Sequence, residues 1–238
     1  MMKIEIADLN VHRNGYKILD NINIVFESGV HVILGRNGAG KTTFLRAIAG
    51  LVPFQGEIKI NGMSIRGLKR KELSRLIGYV WQNPYYGFIE SSVRDEIEVI
   101  LRNLGLNGDM YIVEKLVPRH LMNRDPSSLS GGEARRVSIA SILVADQPIW
   151  LLDEPLSYLG KKGVEDLIDV IRYGRNRGKV ILIALHEIYH AYMIGPDTYV
   201  VLDSGKLVTS GKWGEIDDHV LTKVGIVSRT ELCSICHM

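Results

Sequence analysis

The sequence predicts an α/β fold: a parallel-sheet core, an N-terminal antiparallel β-subdomain and an inserted α-helical subdomain. Three observations predict it. The apolar run Val30–Leu34 has the form of a buried parallel strand, and Phe44, Ile48 and Leu51 recur at i, i+4 and i+7 as on a helix. Between them lies the glycine-rich stretch GRNGAGKTT, Gly35 to Thr43. Two further apolar strands, Ile149–Leu152 and Lys179–Leu185, are separated by a helical pattern at 161–176, the alternation of a parallel sheet. Residues 83–128, in contrast, are mostly helical in pattern and interrupt the strands.

The elements follow in order. Residues 3–9 alternate apolar and polar side chains and predict an exposed edge strand. Asn14-Gly15 is a hairpin signal, and Asn21–Phe26 is a second alternating strand. After the glycine loop and its helix, Gly56–Ile60 with Asn61-Gly62 predicts strand then turn, 68–75 a basic helix, and Ile77–Trp81 a strand ended by Gln82. Ser92 and Asp95 form a capping pair for a helix to Leu104, and Asp109 caps a helix limited by Pro118. Ser130 opens an amphipathic helix. Thr198–Leu202 and Lys206–Thr209 flank the turn Asp203-Ser204-Gly205. The expected organisation is a core and β-subdomain over 1–82 and 146–212, a helical subdomain over 83–145, and an extension over 213–238 without clear periodicity.

Strand, glycine loop and helix are the context of the phosphate-binding motif G-x-x-x-x-G-K-[ST], so the core is expected to be that of a P-loop NTPase. The candidate nucleotide cradle is Gly35, Arg36, Asn37, Gly38, Ala39, Gly40, Lys41, Thr42 and Thr43. Glycines at 35, 38 and 40 permit unusual backbone angles and close ligand approach. Backbone N–H groups and the helix N-terminus then face phosphate oxygens. Lys41 supplies positive charge, and the Thr42 hydroxyl suits Mg²⁺. A bare turn joining strand to helix is the alternative for this loop taken alone.

Composition excludes several classes. With 29 basic and 27 acidic residues, the net charge of +2 gives no argument for a nucleic-acid partner. The longest apolar runs are too short to span a bilayer, and the N-terminus lacks the apolar core of a signal peptide. The expected location is cytoplasmic, with any membrane role requiring a partner. Cys233-Ser-Ile-Cys236-His237 matches a haem-attachment pattern. It lacks an export signal and sits in the last six residues. A zinc site there lacks a fourth ligand, so a thiol pair in a frayed tail is expected.

Asp153 and Glu154 follow an apolar strand directly and so fall at the ligand edge of a parallel sheet, beside the phosphate loop. Asp153 suits Mg²⁺, and Glu154 suits general-base activation of water. Two carboxylates simply ending a strand is the alternative. His186 also follows an apolar strand; alone it is an ordinary loop residue, and Gln82 alone carries almost no signal.

The chain order GRNGAGKTT, Gln82, LSGGE (Leu129–Glu133), WLLDEP, His186 resembles the ATP-binding cassette (ABC) family over about residues 2–212. The resemblance implies an ATPase whose two copies close head to tail around two ATP and two Mg²⁺. Ser130, Gly131 and Gly132 of one subunit would meet the γ-phosphate held by the other, while a helix cap with a glycine hinge is a second, compatible role for them. Gln82 would touch Mg²⁺ or water and report to a docked partner. Glu154, His186 and Gln82 would serve catalysis, and Thr42, Gln82 and Asp153 the metal. Two positions depart from the pattern. Gly160 stands where the family carries an aspartate that links the two sites, which puts cooperativity and turnover in question. At the adenine the family stacks an aromatic residue; the register offers His12 or Arg13, with Tyr16 displaced, and Arg13 is the residue chosen.

Gln82-Asn83-Pro84-Tyr85-Tyr86-Gly87-Phe88 and Ser92–Ile97 further resemble energy-coupling-factor ATPases, which serve vitamin and metal uptake. That implies a second ABC subunit, a transmembrane permease or coupling subunit docking near residues 82–97, and a peripheral place on the cytoplasmic face of the membrane. Tyr85, Tyr86 and Phe88 either face that partner or pack inside the helical subdomain. A soluble non-transport ABC ATPase and a weakly hydrolysing half of a heterodimer are the alternative functions.

Overall fold

The computed structural model describes residues 2–226. Strands β1 (Lys3–Arg13) and β2 (Tyr16–Glu27) form a hairpin whose turn residues, Asn14 and Gly15, both have positive φ. Then come β3 (Gly29–Leu34), helix α1 (Lys41–Ile48), β4 (Gln55–Ile60), β5 (Met63–Ser64), α2 (Arg70–Leu76) and β6 (Ile77–Val80). The helical stretch holds α3 (Val93–Leu104), α4 (Met110–Leu116) and α5 (Gly131–Leu143). The chain returns through β7 (Ile149–Asp153), α6 (Lys161–Asn176), β8 (Val180–Leu185), α7 (Ile188–Ile194), β9 (Thr198–Asp203), β10 (Lys206–Lys212) and α8 (Asp218–Lys223).

Two sheets result. A four-stranded antiparallel sheet runs β2-β1-β4-β5. A six-stranded sheet runs β10-β9-β3-β8-β7-β6, parallel except for the β9–β10 hairpin. Strands β3, β7 and β8 are buried along their whole length, which explains their largely apolar sequence, interrupted only by His31 in β3 and ended by Asp153 in β7. Alternate side chains serve opposite cores. Trp150, Leu152, Ile181 and Ile183 pack toward α5 and α6, while Ile149, Leu151, Val180 and Leu182 pack toward α1 and the antiparallel sheet.

Two expectations need correction. β1 is not an edge strand: it lies between β2 and β4, and β2 takes the edge. The alternation in β1 is that of a strand with one buried face, and it does not distinguish edge from centre. Leu51 lies beyond the end of α1 and is partly exposed. The segment 213–226, without clear periodicity in sequence, packs on the fold: Leu221, Val224 and Ile226 join the main core, and the Trp213 ring sits 5.0 Å from that of Tyr192. The cysteine-histidine tail falls outside the described residues.

The parallel strands end in register. Leu34 of β3 pairs with Leu185 of β8, Asp153 of β7 with Ala184 of β8, and Val80 of β6 with Leu152 of β7. Gly35, Glu154 and His186, which directly follow β3, β7 and β8, and Gln82, two residues past the end of β6, therefore emerge along one sheet edge.

Candidate functional site: a phosphate-loop cleft

The loop from Gly35 to Gly40 leaves β3 and wraps the N-terminus of α1. At Gly40 φ is +102°, and a Cβ there would lie 2.8 Å from Leu19 Cδ2, so glycine is required on two counts. Gly40 is also the N-cap of α1 and offers no side-chain cap, and the first turn holds no acidic residue. The helix thus presents its free N–H groups and positive pole to whatever occupies the loop. Lys41 is buried. Its Nζ donates to the carbonyl oxygens of Gly35 (2.6 Å) and Arg36 (3.3 Å) and lies 3.7 Å from Glu154 Oε1. Burial pushes its ammonium below the ordinary value, against the pull of Glu154 and Asp153.

Asp153 is fully buried at the end of β7. Thr42 Oγ1 donates to its Oδ1 and the Tyr79 hydroxyl to its Oδ2, both at 3.1 Å. Burial nevertheless raises its carboxyl above the usual aspartate range. A carboxylate so desolvated is short of positive charge. With the Thr42 hydroxyl and the Gln82 amide oxygen it offers a hard, all-oxygen donor set that suits Mg²⁺ shared with phosphate. Glu154 is the next residue and is held in left-handed backbone, φ +49°, which is strained for glutamate. Its Oε2 lies 2.8 Å from His186 Nδ1, so the two residues that follow neighbouring strands meet directly.

A cleft of 410 Å³ opens on this edge, lined by Arg36–Thr43, Gln82, Glu154 and Ile18. Arg13, expected against a base, does not line it. Arg13 faces Tyr16 across the hairpin turn at the far end of the β1–β2 ladder, and it is the later residue Ile18 that reaches the cleft. Ser130, Gly131 and Gly132 do not line it either. The Ser130 hydroxyl accepts from the Glu133 N–H and donates to Glu133 Oε2 at 2.8 Å, a reciprocal cap at the start of α5.

Other side chains at the site carry no motif. Tyr79 bridges Asp153 and Arg46, its hydroxyl accepting from Arg46 Nε at 3.3 Å, and burial raises the phenol. Tyr158, at φ +70° and largely exposed, lies over both signature glycines; a Cβ at Gly131 would meet its ring at 3.3 Å. Arg135 on α5 is fully buried. At Gly225, a Cβ would meet Arg36 Cδ at 2.9 Å, so the segment after α8 backs onto the phosphate loop.

Beyond Gln82, Tyr85 donates its hydroxyl to the Leu129 carbonyl at 3.0 Å and Phe88 packs against the core. Tyr86 and Ile89 face outward, 71% and 75% exposed. The aromatic run is therefore divided between interior and surface.

A parallel sheet with a phosphate loop, a buried aspartate and a following glutamate at one edge defines a nucleotide-binding α/β protein. The family model for ABC transporters matches residues 19–157. The energy-coupling factor transporter ATP-binding protein EcfA1 of Thermotoga maritima is 31% identical over 99% of this chain and 92% of its own. EcfA2 of Clostridium perfringens is 32% identical over 87% of this chain and 78% of its own. Among solved structures, cbiO1 of Clostridium perfringens, described as part of the ABC transporter complex cbiONQ, superposes with a TM-score of 0.76, covering 98% of this chain and 97% of that one, at 27% identity. A dimeric ATP-binding cassette bound to ADP and Pi shares the fold, with a TM-score of 0.77 over 89% of this chain and 98% of that one at 23% identity. The chain belongs to the ABC transporter family, as one of its ATP-binding, ATP-hydrolysing subunits. Among the described residues no helix is long and apolar enough to cross a membrane.

Proposed function

We propose that this chain powers an energy-coupling-factor type importer of a vitamin or a metal ion, as a peripheral subunit on the cytoplasmic face of the membrane. It works with a second ABC subunit and a transmembrane coupling subunit docked near residues 82–97. The observation that carries this reading is the segment after Gln82. It begins in the cleft and, within seven residues, exposes Tyr86 and Ile89, large apolar side chains suited to an interface. The EcfA relatives align across it.

In the proposed reaction the loop Gly35–Thr43 and the α1 N-terminus bind the ATP phosphates. Thr42, Gln82 and Asp153 would hold Mg²⁺, which supplies charge neutralisation to the phosphates when bound. Lys41 already lies against the loop carbonyls and turns its charge to the terminal phosphates. Glu154 accepts the proton of the attacking water, and His186, in contact with Glu154, orients that carboxylate and the water. Because Ser130, Gly131 and Gly132 lie off the cleft of their own chain, they reach a γ-phosphate only in a second copy. Closure of two copies then supplies the electrostatic stabilisation that phosphoryl transfer needs.

Affinity purification from detergent-solubilised native membranes, with mass spectrometry of retained chains, tests the assembly. Recovery of a transmembrane coupling subunit with a small substrate-binding membrane protein is expected. Recovery of soluble partners alone would refute the transport reading. E154Q is expected to bind ATP and lose turnover; retained turnover removes Glu154 from its role.

A further inference from the structure

Arg135 carries no motif role, yet no side chain at the site is more completely enclosed. Its guanidinium projects from α5 into the ends of the parallel strands. Nη1 donates to the Trp81 carbonyl at 2.6 Å, Nη2 to the carbonyls of Gln82 and of Glu154 (3.2 Å), and Nε to the Ser157 carbonyl at 3.4 Å. Four acceptors from two segments far apart in sequence, 81–82 and 154–157, thus converge on one planar group, and all are main chain. Among the described residues no carboxylate pairs with it. Asp153 and Glu154 act on it only through space, and burial pushes its pKa down to about 10. A buried, unpaired guanidinium is an expensive way to fill space, and an apolar side chain would do that better. What the guanidinium provides is five donors in a fixed plane, four of them engaged here, which no other side chain offers.

We propose that Arg135 is a positioning residue for ATP hydrolysis: it locks the main chain at Gln82, Glu154 and Ser157 into one register. Motion of the loop after Gln82 is thereby transmitted to the catalytic carboxylate and to the loop leading to Gly160. The geometry supports this directly. Glu154 sits at a strained positive φ, and its carbonyl is gripped by Nη2, which fixes the peptide that aims its carboxylate. The same Nη2 holds Gln82, so the two cannot shift independently without breaking a bond to the same nitrogen. The inference rests on Glu154 being the general base.

The test uses the full chain and compares R135Q and R135K with E154Q. ATP affinity and binding stoichiometry are measured by calorimetry, and kcat is expressed per nucleotide-binding site. R135Q is expected to lose about fivefold or more in kcat while its ATP affinity falls by less, the signature of lost positioning rather than lost binding. R135K, whose ammonium has three donors for four acceptors, should lie between R135Q and the unsubstituted chain. A smaller loss in kcat for R135Q, a matching loss in affinity, or R135K no better than R135Q overturns the proposal. If R135Q binds no ATP, R135K decides by the same measure; if neither binds, Arg135 is a folding group and the proposal is wrong. E154Q separates the two readings. Turnover retained in E154Q refutes the general base, whatever Arg135 does.

Discussion

Gly160 allows a prediction whose sign and size both come from the backbone. It is the N-cap of α6, with φ −74° and ψ 171°, extended geometry open to any residue. A Cβ built there meets nothing within 4 Å. Helix α6 has no side-chain cap and no acidic residue in its first turn, and it opens with Lys161 and Lys162, cations at the positive pole. Aspartate at this position supplies a cap worth a few tenths of a kcal/mol over glycine. It also places an anion at the helix N-terminus, worth about 0.3–1 kcal/mol. G160D should therefore stabilise the nucleotide-free protein by about 0.5–1 kcal/mol. For a chain of this size that raises Tm by roughly 2 °C. Differential scanning calorimetry in EDTA reads it. A Tm equal to or below that of the unsubstituted chain would refute the reasoning, because it would mean that residue 160 is not an accessible N-cap. If the proposed dimer joins its two sites through this loop, the same variant should also steepen the dependence of ATPase rate on ATP, read as a higher Hill coefficient.

Four further substitutions separate other contributions. Asp153 has its carboxyl raised above 3.8 by burial, so it favours the fold while protonated and loses that contribution as pH climbs from about the unfolded value through the folded one. D153N does not titrate, so the Tm of D153N minus that of the unsubstituted chain should grow as pH rises above about 4 in EDTA; a constant difference rules out the desolvation argument. S130A removes the reciprocal cap of α5 and should cost about 1 kcal/mol in urea unfolding, with no change in m value. At Gly174 a Cβ would lie 2.4 Å from Trp150 Cζ3, and Trp150 is fully buried. G174A should thus destabilise by about 1–3 kcal/mol despite its better helix propensity, and W150F in the same chain should recover part of that loss, a coupling that a double-mutant cycle measures.

Periodicity made the long elements legible. The pattern at 161–176 marks α6 to the residue, because a half-buried helix must repeat its apolar side chains along one face. Ser92 and Asp109 mark α3 and α4, because their side-chain oxygens accept N–H groups of the first turn. Short elements escape this logic. Helix α7 has seven residues, with Ile188, Ala191 and Ile194 its buried face, and that is too few turns for a repeat to stand out from the loop signals around it. The edge assignment of β1 failed for another reason. Sequence alternation reports which face of a strand is buried, whereas position within the sheet depends on which distant strand pairs with it, here β4.

At the site, legibility followed where the chemistry resides. Phosphate binding by main-chain N–H groups, as proposed for Gly35–Thr43, requires glycine at fixed places, so such a loop stands out in sequence; acids placed at strand ends, such as Asp153 and Glu154, do the same. Tyr79 and Arg135 act on those residues from other elements, through hydrogen bonds that span 74 positions for Tyr79 to Asp153 and 54 for Arg135 to Trp81. Nothing local constrains such a residue: a tyrosine in an apolar strand suits packing, and an arginine on an amphipathic helix suits solvent. The one available signal was arithmetic on the helix face. Arg135 lies one turn before Ser138 and Ile139, at i+3 and i+4, both buried, so it shares their inward face. A charge placed there is either an error of the fold or a group with fixed partners, and the converging carbonyls of Trp81, Gln82, Glu154 and Ser157 show that it has them.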